Sequence, residues 1–415
     1  MNAPGTLPNP APQNLLPNVP AVDFLVQWQS LVVAGYRSLW RELAQQSTWS
    51  VTMIAPDQFR EAGMQDLPCA ANDPRNPPLV VLPVKRFHTQ AVWFMNLDKY
   101  IGFWLAGDRP KIFLCFAEPY SLTALFSFLM YLKARVHTFF SSSRPRVLFY
   151  GFQNIHKKLP LPLRISQLLL FKCADAILVA GTEHESVLRA HGFKGRCINL
   201  PMWFDPLVFN PAEETGSRRQ NTTIGYAGSL LPEKGISQIL DAWLDSYRGP
   251  LRNRNLTLQN TSLEIAGDGP LKQQVTLQIE ALKKLGVNAH YRGPIAAAEM
   301  SKFYQSLDIL IVPSLTAPHW KEQFGRVIIE AMACGCVVIG SDSGEIPNVI
   351  GDPTRIFPEN DRLAFLDVLD RAVRLVKMDP QRTRIEMSQK AIKRFGDRAV
   401  AATFLAELQT LLSST

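Results

Sequence analysis

Two carboxylates, Glu322 and Glu330, lie eight positions apart in WKEQFGRVIIEAMACGCVVIGSDSGEIP, residues 320–347. Glu322 has polar neighbours and precedes a Phe-Gly pair, Phe324 and Gly325. Glu330 is enclosed by Val327, Ile328, Ile329, Ala331, Met332 and Ala333. An ionised carboxylate in such company is expensive to bury without a partner. A ligand hydroxyl group is one such partner. At this separation the two carboxylates are not a general acid and base facing each other. They suit hydroxyl groups at two ends of one elongated ligand. A Glu at a helix start also complements the helix dipole in the ordinary way, so the pair takes its meaning from what surrounds it.

The surrounding pattern places both on an αβ unit. Residues 308–313 (DILIVP) predict a buried parallel strand and 314–321 a loop. Residues 324–334 predict a helix with good formers and no interior proline, and 337–340 (VVIG) the next strand. The helix N-terminus then sits at the carboxyl edge of a parallel sheet, where open α/β sheets bind ligands. Its free backbone N–H groups suit an anion such as a diphosphate. Glu322 stands beside that anion and Glu330 about two turns along. A second phosphate candidate follows the strand 224–227, in Gly228-Ser229…Lys234-Gly235. Gly228 allows close backbone approach and Lys234 offers a mobile point charge.

The run E-x-F-G-R-V-x-x-E-A-M-A-x-G-x-x-V-I-G-S-D-x-G-x-I-P resembles the donor site of family-4 retaining glycosyltransferases. Residues 223–235 (TIGYAGSLLPEKG), 263–271 (LEIAGDGPL) and 291–313 resemble further segments of the same family, so the likeness covers roughly residues 220–352. It implies an α/β protein of GT-B architecture: two Rossmann-like doubly wound domains facing across a cleft. It implies a nucleotide-diphosphate sugar as donor, with Glu322 on a sugar hydroxyl and Glu330 on the ribose. Lys234, Ser229 and the backbone at Phe324 and Gly325 would hold the diphosphate. Gly267 and the segment 292–295, ending at Ile295, would border the base. Many relatives carry Arg where Ser229 stands, so one charge of an Arg/Lys clamp is missing. No Asp-x-Asp pattern is present and no metal or cofactor is expected, leaving Lys234, backbone N–H groups and the helix dipole to neutralise the leaving group.

The acceptor belongs to the N-terminal half. Gly35 fits the usual glycine loop after the first strand. Relatives often have a functional His after the fifth strand, and here FYGFQNIHKK places Gln153, Asn154 and His156 near that point. The acceptor class implied is a glycan, a lipid-linked molecule or a small molecule, in polysaccharide or glycolipid synthesis. Two other readings stay open: a non-catalytic partner subunit, favoured by Ser229, and a sugar phosphorylase or epimerase on the same architecture.

At 415 residues, 47% hydrophobic and 19% charged, the chain predicts two or three globular domains. The predicted boundaries are a disordered Pro-rich tail at 1–21, an N-terminal domain at 22–202 and a linker at 203–219. A C-terminal domain at 220–395 and a helix at 396–415 packing back on the N-terminal domain complete the plan. Strands are expected at 22–26, 49–55, 79–83, 111–116, 146–152, 176–180 and 197–200, with helices between them such as 35–46 and 122–133. Closing helices are expected at 363–377 and 382–412. The net charge of +8 is concentrated in residues 1–210, which hold 20 Lys+Arg against 13 Asp+Glu. That excess suits an anionic acceptor or an anionic membrane surface; no nucleic-acid motif accompanies it. His156-Lys157-Lys158 followed by LPLPLRISQLLLF reads either as a basic amphipathic membrane edge or as a buried helix after a basic loop. The six cysteines form no C-x-x-C, and Cys334-Gly-Cys336 reads as packing. With no signal-peptide pattern and no spanning stretch, the expected location is cytoplasmic, peripheral on the inner face of a membrane.

Overall fold

A computed structural model describes residues 21–59, 67–82, 85–87, 90–92, 109–137, 145–212, 221–248 and 261–413. The tail expected at 1–21 lies outside these residues but for residue 21. In the N-terminal half the strands of the main sheet are β1 (Asp23–Trp28), β2 (Ser50–Pro56), β3 (Leu79–Leu82), β4 (Lys111–Phe116), β5 (Arg146–Gly151), β6 (Ala176–Val179) and β7 (Cys197–Asn199). They form one sheet in the order β7-β6-β5-β4-β1-β2-β3, every pair parallel. Among the described residues four α-helices accompany it: α1 (Ser38–Gln46), α2 (Leu122–His137), α3 (Leu161–Cys173) and α4 (Thr182–Ala190). Strands such as Lys111–Phe116 are buried at every position, the pattern of a sheet covered on both faces. One of its faces packs Phe24, Val26, Trp40 and Leu114; the other packs Leu25, Phe113, Phe128 and Leu170.

The second half repeats the plan. Strands β8 (Thr222–Ala227), β9 (Thr261–Ala266), β10 (Asn288–Gly293), β11 (Ile309–Val312), β12 (Val337–Ser341) and β13 (Ile356–Phe357) run parallel in the order β10-β9-β8-β11-β12-β13. Between and after them come α5 (Ile236–Arg248), α6 (Lys272–Lys284), α7 (Met300–Ser306), α8 (Arg326–Ala333), α9 (Ile346–Ile350), α10 (Arg362–Met378), α11 (Pro380–Phe395) and α12 (Asp397–Ser413). In each sheet the strand order reverses beside the first strand of its half. This opens a crevice at the carboxyl ends between β1 and β4, and another between β8 and β11.

Three expectations are corrected. The segment after β1 is not helical from residue 35: a 3-10 turn at Ala34–Tyr36 precedes α1, leaving Gly35 outside the helix. The span 382–412 is two helices, not one. It breaks at Gly396, where the N–H of Phe204 donates to the Phe395 carbonyl (3.1 Å) and the N–H of Asp397 to the Phe204 carbonyl (3.0 Å). The chain's two crossings between domains therefore pair with each other. A Cβ on Gly396 would meet the Ile392 carbonyl at 2.7 Å. For the same reason the beginning of the linker, around 203–209, is not loose: Trp203 and Phe204 are fully buried and Phe209 nearly so. α12 packs on α1, with the Phe404 ring edge-on to Phe24 at 6.3 Å and Trp40 at 6.5 Å. Among the described residues no helix is long and apolar enough to cross a membrane.

Candidate functional site

The loops leaving β8 and β11 meet at the crevice of the second domain. The Leu315 N–H donates to the Glu233 carbonyl at 2.7 Å. Gly235 has φ +70°, and a Cβ there would fall 1.9 Å from the Pro313 carbonyl oxygen, so this crossing of two backbones requires glycine. It delivers Lys234 to Glu322: Nζ lies 2.8 Å from Oε2. Ser314 donates its hydroxyl to the same oxygen at 2.9 Å, and the ammonium stands 4.5 Å from the Trp320 ring centre. The Lys234 side chain is only 24% exposed and its charge is matched.

The Glu322 backbone is pinned as well. Its carbonyl accepts from the Glu345 N–H at 3.2 Å and from Asn154 Nδ2 at 2.9 Å. Gly344, at φ +55°, brings its Cα so close that a Cβ would sit 2.0 Å from that carbonyl oxygen. Asn154 comes from the other domain, so the loop that carries Glu322 and the N-terminal domain are joined at the Glu322 backbone carbonyl.

Helix α8 starts at Arg326, two residues later than the pattern predicts. Gly325 is its N-cap, with φ 79° and ψ 68°, which only glycine adopts freely, and Phe324 is buried edge-on against Phe395 at 5.7 Å. The first-turn N–H groups of a helix lack an acceptor one turn back; here the Ile328 N–H donates to the Gly325 carbonyl at 2.9 Å. Glu330 lies one turn inside the helix, not two, and is almost fully buried. Its partners are Arg326, with Nη2 2.8 Å from Oε1, and the Tyr304 hydroxyl at 3.3 Å. Burial raises the Glu330 pKa above the ordinary carboxylate value, and the Arg326 charge works against that rise. Arg326 in turn stacks over Tyr36 of the N-terminal domain, 4.0 Å from the ring centre, and a Cβ on Gly35 would lie 3.9 Å from Arg326 Nη2.

The remaining positions fall into two groups. Gly228, Ser229 and Gly267 form one knot. The Gly228 N–H donates to the Ala266 carbonyl at 3.2 Å, Tyr226 Oη to the Ser229 carbonyl at 2.8 Å, and Gly267, at φ +146°, leaves no room for a Cβ beside the Gly228 carbonyl. Ile295 borders a groove of about 550 Å3 shared with Glu264, Arg292 and Phe303. Of the residues expected on the acceptor side, Asn154 reaches Glu322, but Gln153 turns into its own domain. Gln153 accepts from Tyr120 Oη at 2.6 Å and donates to the Ile155 carbonyl at 2.8 Å. His156 is exposed and packs edge-on to His191 at 4.4 Å.

Residue patterns alone passed over Arg326, Tyr304, Ser314 and Tyr36. Arg326 had a signal, since it lies four positions before Glu330 on one helix face; Tyr304 and Tyr36 reach the site through tertiary structure only. Also missed was a set of contacts beside the cleft. The Glu183 N–H donates to Glu345 Oε1 at 2.9 Å, Lys321 pairs with the Glu183 carboxylate, and His184 is buried there, its pKa pushed down to about 4 by desolvation. Cys334 and Cys336 are buried; burial raises the Cys334 thiol to about 12, so it stays protonated. Among the described residues no His, Cys, Asp and Glu cluster could hold a metal ion.

The architecture and crevice define a two-domain, doubly wound α/β protein with its polar site at the strands' carboxyl edge. Residues 211–394 match the family described as "Glycosyl transferases group 1". The Salmonella typhimurium lipopolysaccharide 1,2-N-acetylglucosaminetransferase is 29% identical over 137 residues, covering 32% of this chain and 33% of that protein. D-inositol 3-phosphate glycosyltransferase of Corynebacterium efficiens is 26% identical over 267 residues, covering 60% and 59%. The chain thus spans less than two-thirds of these relatives. Among solved structures, a glycosyltransferase from Rickettsia africae aligns with TM-score 0.64 at 13% identity, over 95% of this chain and 100% of that one. HepE of Anabaena in complex with UDP and glucose aligns with TM-score 0.57 at 15% identity, over 94% and 99%. The fold is GT-B.

Proposed function

We propose that the protein is a retaining glycosyltransferase that moves a sugar from a nucleotide-diphosphate sugar to a glycan, lipid-linked or small-molecule acceptor, without a metal. The convergence of Lys234, Glu322 and Ser314 where the strand order reverses carries this reading. It puts one cation, one carboxylate and a helix N-terminus at one point, the set a sugar diphosphate needs. Relatives named as transferases of N-acetylglucosamine, of mannose and of sulfoquinovose support the class of reaction. Structural neighbours solved with UDP, UDP-glucose or UDP-2-fluoro glucose support the class of donor.

Lys234 and Glu322 neutralise each other. A donor separates their duties. The diphosphate draws the ammonium, joined by the α8 N–H groups near Phe324 and Gly325 and by Ser229. A sugar hydroxyl donates to the Glu322 carboxylate that Lys234 has left, and Ser314 keeps that carboxylate oriented. Glu330, held by Arg326 and Tyr304, accepts from the ribose. The bond between the anomeric carbon and the phosphate oxygen breaks as the acceptor oxygen bonds on the same face. The acceptor proton passes to the leaving diphosphate, and Lys234 stabilises the charge developing there.

The test separates sugar from nucleotide. A panel of nucleoside diphosphates and their sugars is screened by thermal shift, since a ligand of the native state raises apparent stability. One nucleotide sugar should stabilise the wild type more than its bare diphosphate. Glu322→Gln should abolish that extra shift, whereas Glu330→Gln should weaken both ligands about tenfold, the worth of one charge-assisted hydrogen bond. Indifference of the wild type to every nucleotide sugar would overturn the reading.

A further inference from the structure

Helices α2 and α3 follow adjacent strands, β4 and β5, pack on the same face of the first sheet and touch each other. Their inward faces supply Ala124, Phe128 and Tyr131, and Leu170 and Phe171. Their outward faces are apolar too. On α2, Phe126, Leu129, Leu132 and Val136 recur at helical spacing, with Val136 74% exposed; on α3, Leu161, Ile165, Leu168 and Leu169 do so, with Leu161 72% exposed. Isolated exposed leucines are ordinary, but a contiguous face on two neighbouring helices marks a surface that meets something apolar. The next helix on the same face, α4, shows the ordinary alternative: its outer side carries the exposed ion pair Glu185–Arg189.

Charge specifies the partner. From residue 119 to residue 174 the chain holds eight Lys and Arg and no Asp or Glu. Lys157 and Lys158 are exposed in the loop that enters α3, Lys172 at its end, and Lys133 on α2. A second copy of this surface would bring like charges together, whereas an anionic bilayer takes apolar side chains into its interface and basic ones onto its headgroups. The same loop carries Asn154 to the Glu322 carbonyl, so the face adjoins the cleft through one short segment. We propose that the α2–α3 face docks the protein on an anionic lipid surface. The inference is independent of the donor chemistry.

The test is co-sedimentation of the full chain with phosphatidylcholine vesicles, with and without phosphatidylglycerol, at low and high salt. Wild type should bind only the anionic vesicles and lose most binding at high salt, because exposed charge interactions are screened. Lys157→Glu with Lys158→Glu, and separately Ile165→Asn with Leu169→Asn, should each reduce the bound fraction several-fold. Each variant's melting temperature is measured on the same preparation to establish that it folds. Wild type that ignores anionic vesicles at low salt, or folded variants that bind as wild type does, would overturn the proposal. So would a stable dimer in sedimentation velocity that Ile165→Asn with Leu169→Asn dissociates, since the face would then belong to a second copy.

Discussion

At the scale of the residue, the Lys234–Glu322 pair is the decisive feature. Lys234 is part-buried and shares one carboxylate oxygen with Ser314. Lys234→Ala should slow sugar transfer by about two orders of magnitude, near the ~3 kcal/mol such electrostatic contacts contribute at a transition state. It should also lower stability by about 1 kcal/mol, as the pair is partly exposed and screened. Melting temperature and initial rate on one preparation give both; an unchanged rate would place Lys234 outside the site. The sequence could suggest both residues only through the motifs around them, because a Glu at a helix start or a Lys beside a Gly turn is ordinary by itself. It could not show that they pair, since 88 positions separate them and only the crossing of two loops joins them. Nor could it show that Asn154 and Gln153, adjacent in the chain, face opposite ways.

The element that sets this geometry is the loop pair after β8 and β11. Gly235→Ala must displace the Pro313 backbone or abandon φ +70°, and either moves Lys234 from Glu322. The variant should lose several degrees of melting temperature, consistent with roughly 2–3 kcal/mol for strain at a special φ. Its donor-induced shift should fall further than its stability; wild-type values of both would show that the crossing is not needed. On the facing domain, Glu118 accepts from the Phe152 N–H at 2.6 Å beneath the loop that carries Asn154, and burial raises its pKa from 4.5 to about 7. Across that interval the native state holds a proton that the unfolded chain has released. The contribution is therefore complete below pH 4.5 and lost as pH rises through 7. Glu118→Gln, which cannot ionise, should flatten the decline of melting temperature between about pH 5 and about pH 8; equal slopes would contradict the assignment. Strands were legible in the sequence because parallel β-runs buried on both faces read as continuous apolar segments. The break at Gly396 was legible only as the boundary expected between residues 395 and 396, not as a helix end. Residues 382–412 read as one unbroken helical pattern, and what interrupts them is Phe204, from the other end of the C-terminal domain.

For the whole molecule, the proposed donor site is also a domain contact. Arg326 joins Glu330 to Tyr36, Asn154 joins the N-terminal domain to Glu322, and Glu183 joins it to Glu345 and Lys321. The two chain crossings pair at Phe204 and Gly396. A ligand that competes for Lys234, Glu322 or Glu330 therefore acts on groups that also set how the halves meet. In the proposed reaction the leaving diphosphate is met by Lys234 and backbone N–H groups, with no metal required. The most direct test is turnover of the stabilising nucleotide sugar in excess chelator, with NMR recording the first anomer formed. The account predicts release of nucleoside diphosphate at an undiminished rate, and a product whose anomeric configuration matches the donor's. Turnover that stops in chelator and returns with Mg²⁺ or Mn²⁺, or a first product of inverted configuration, would contradict it.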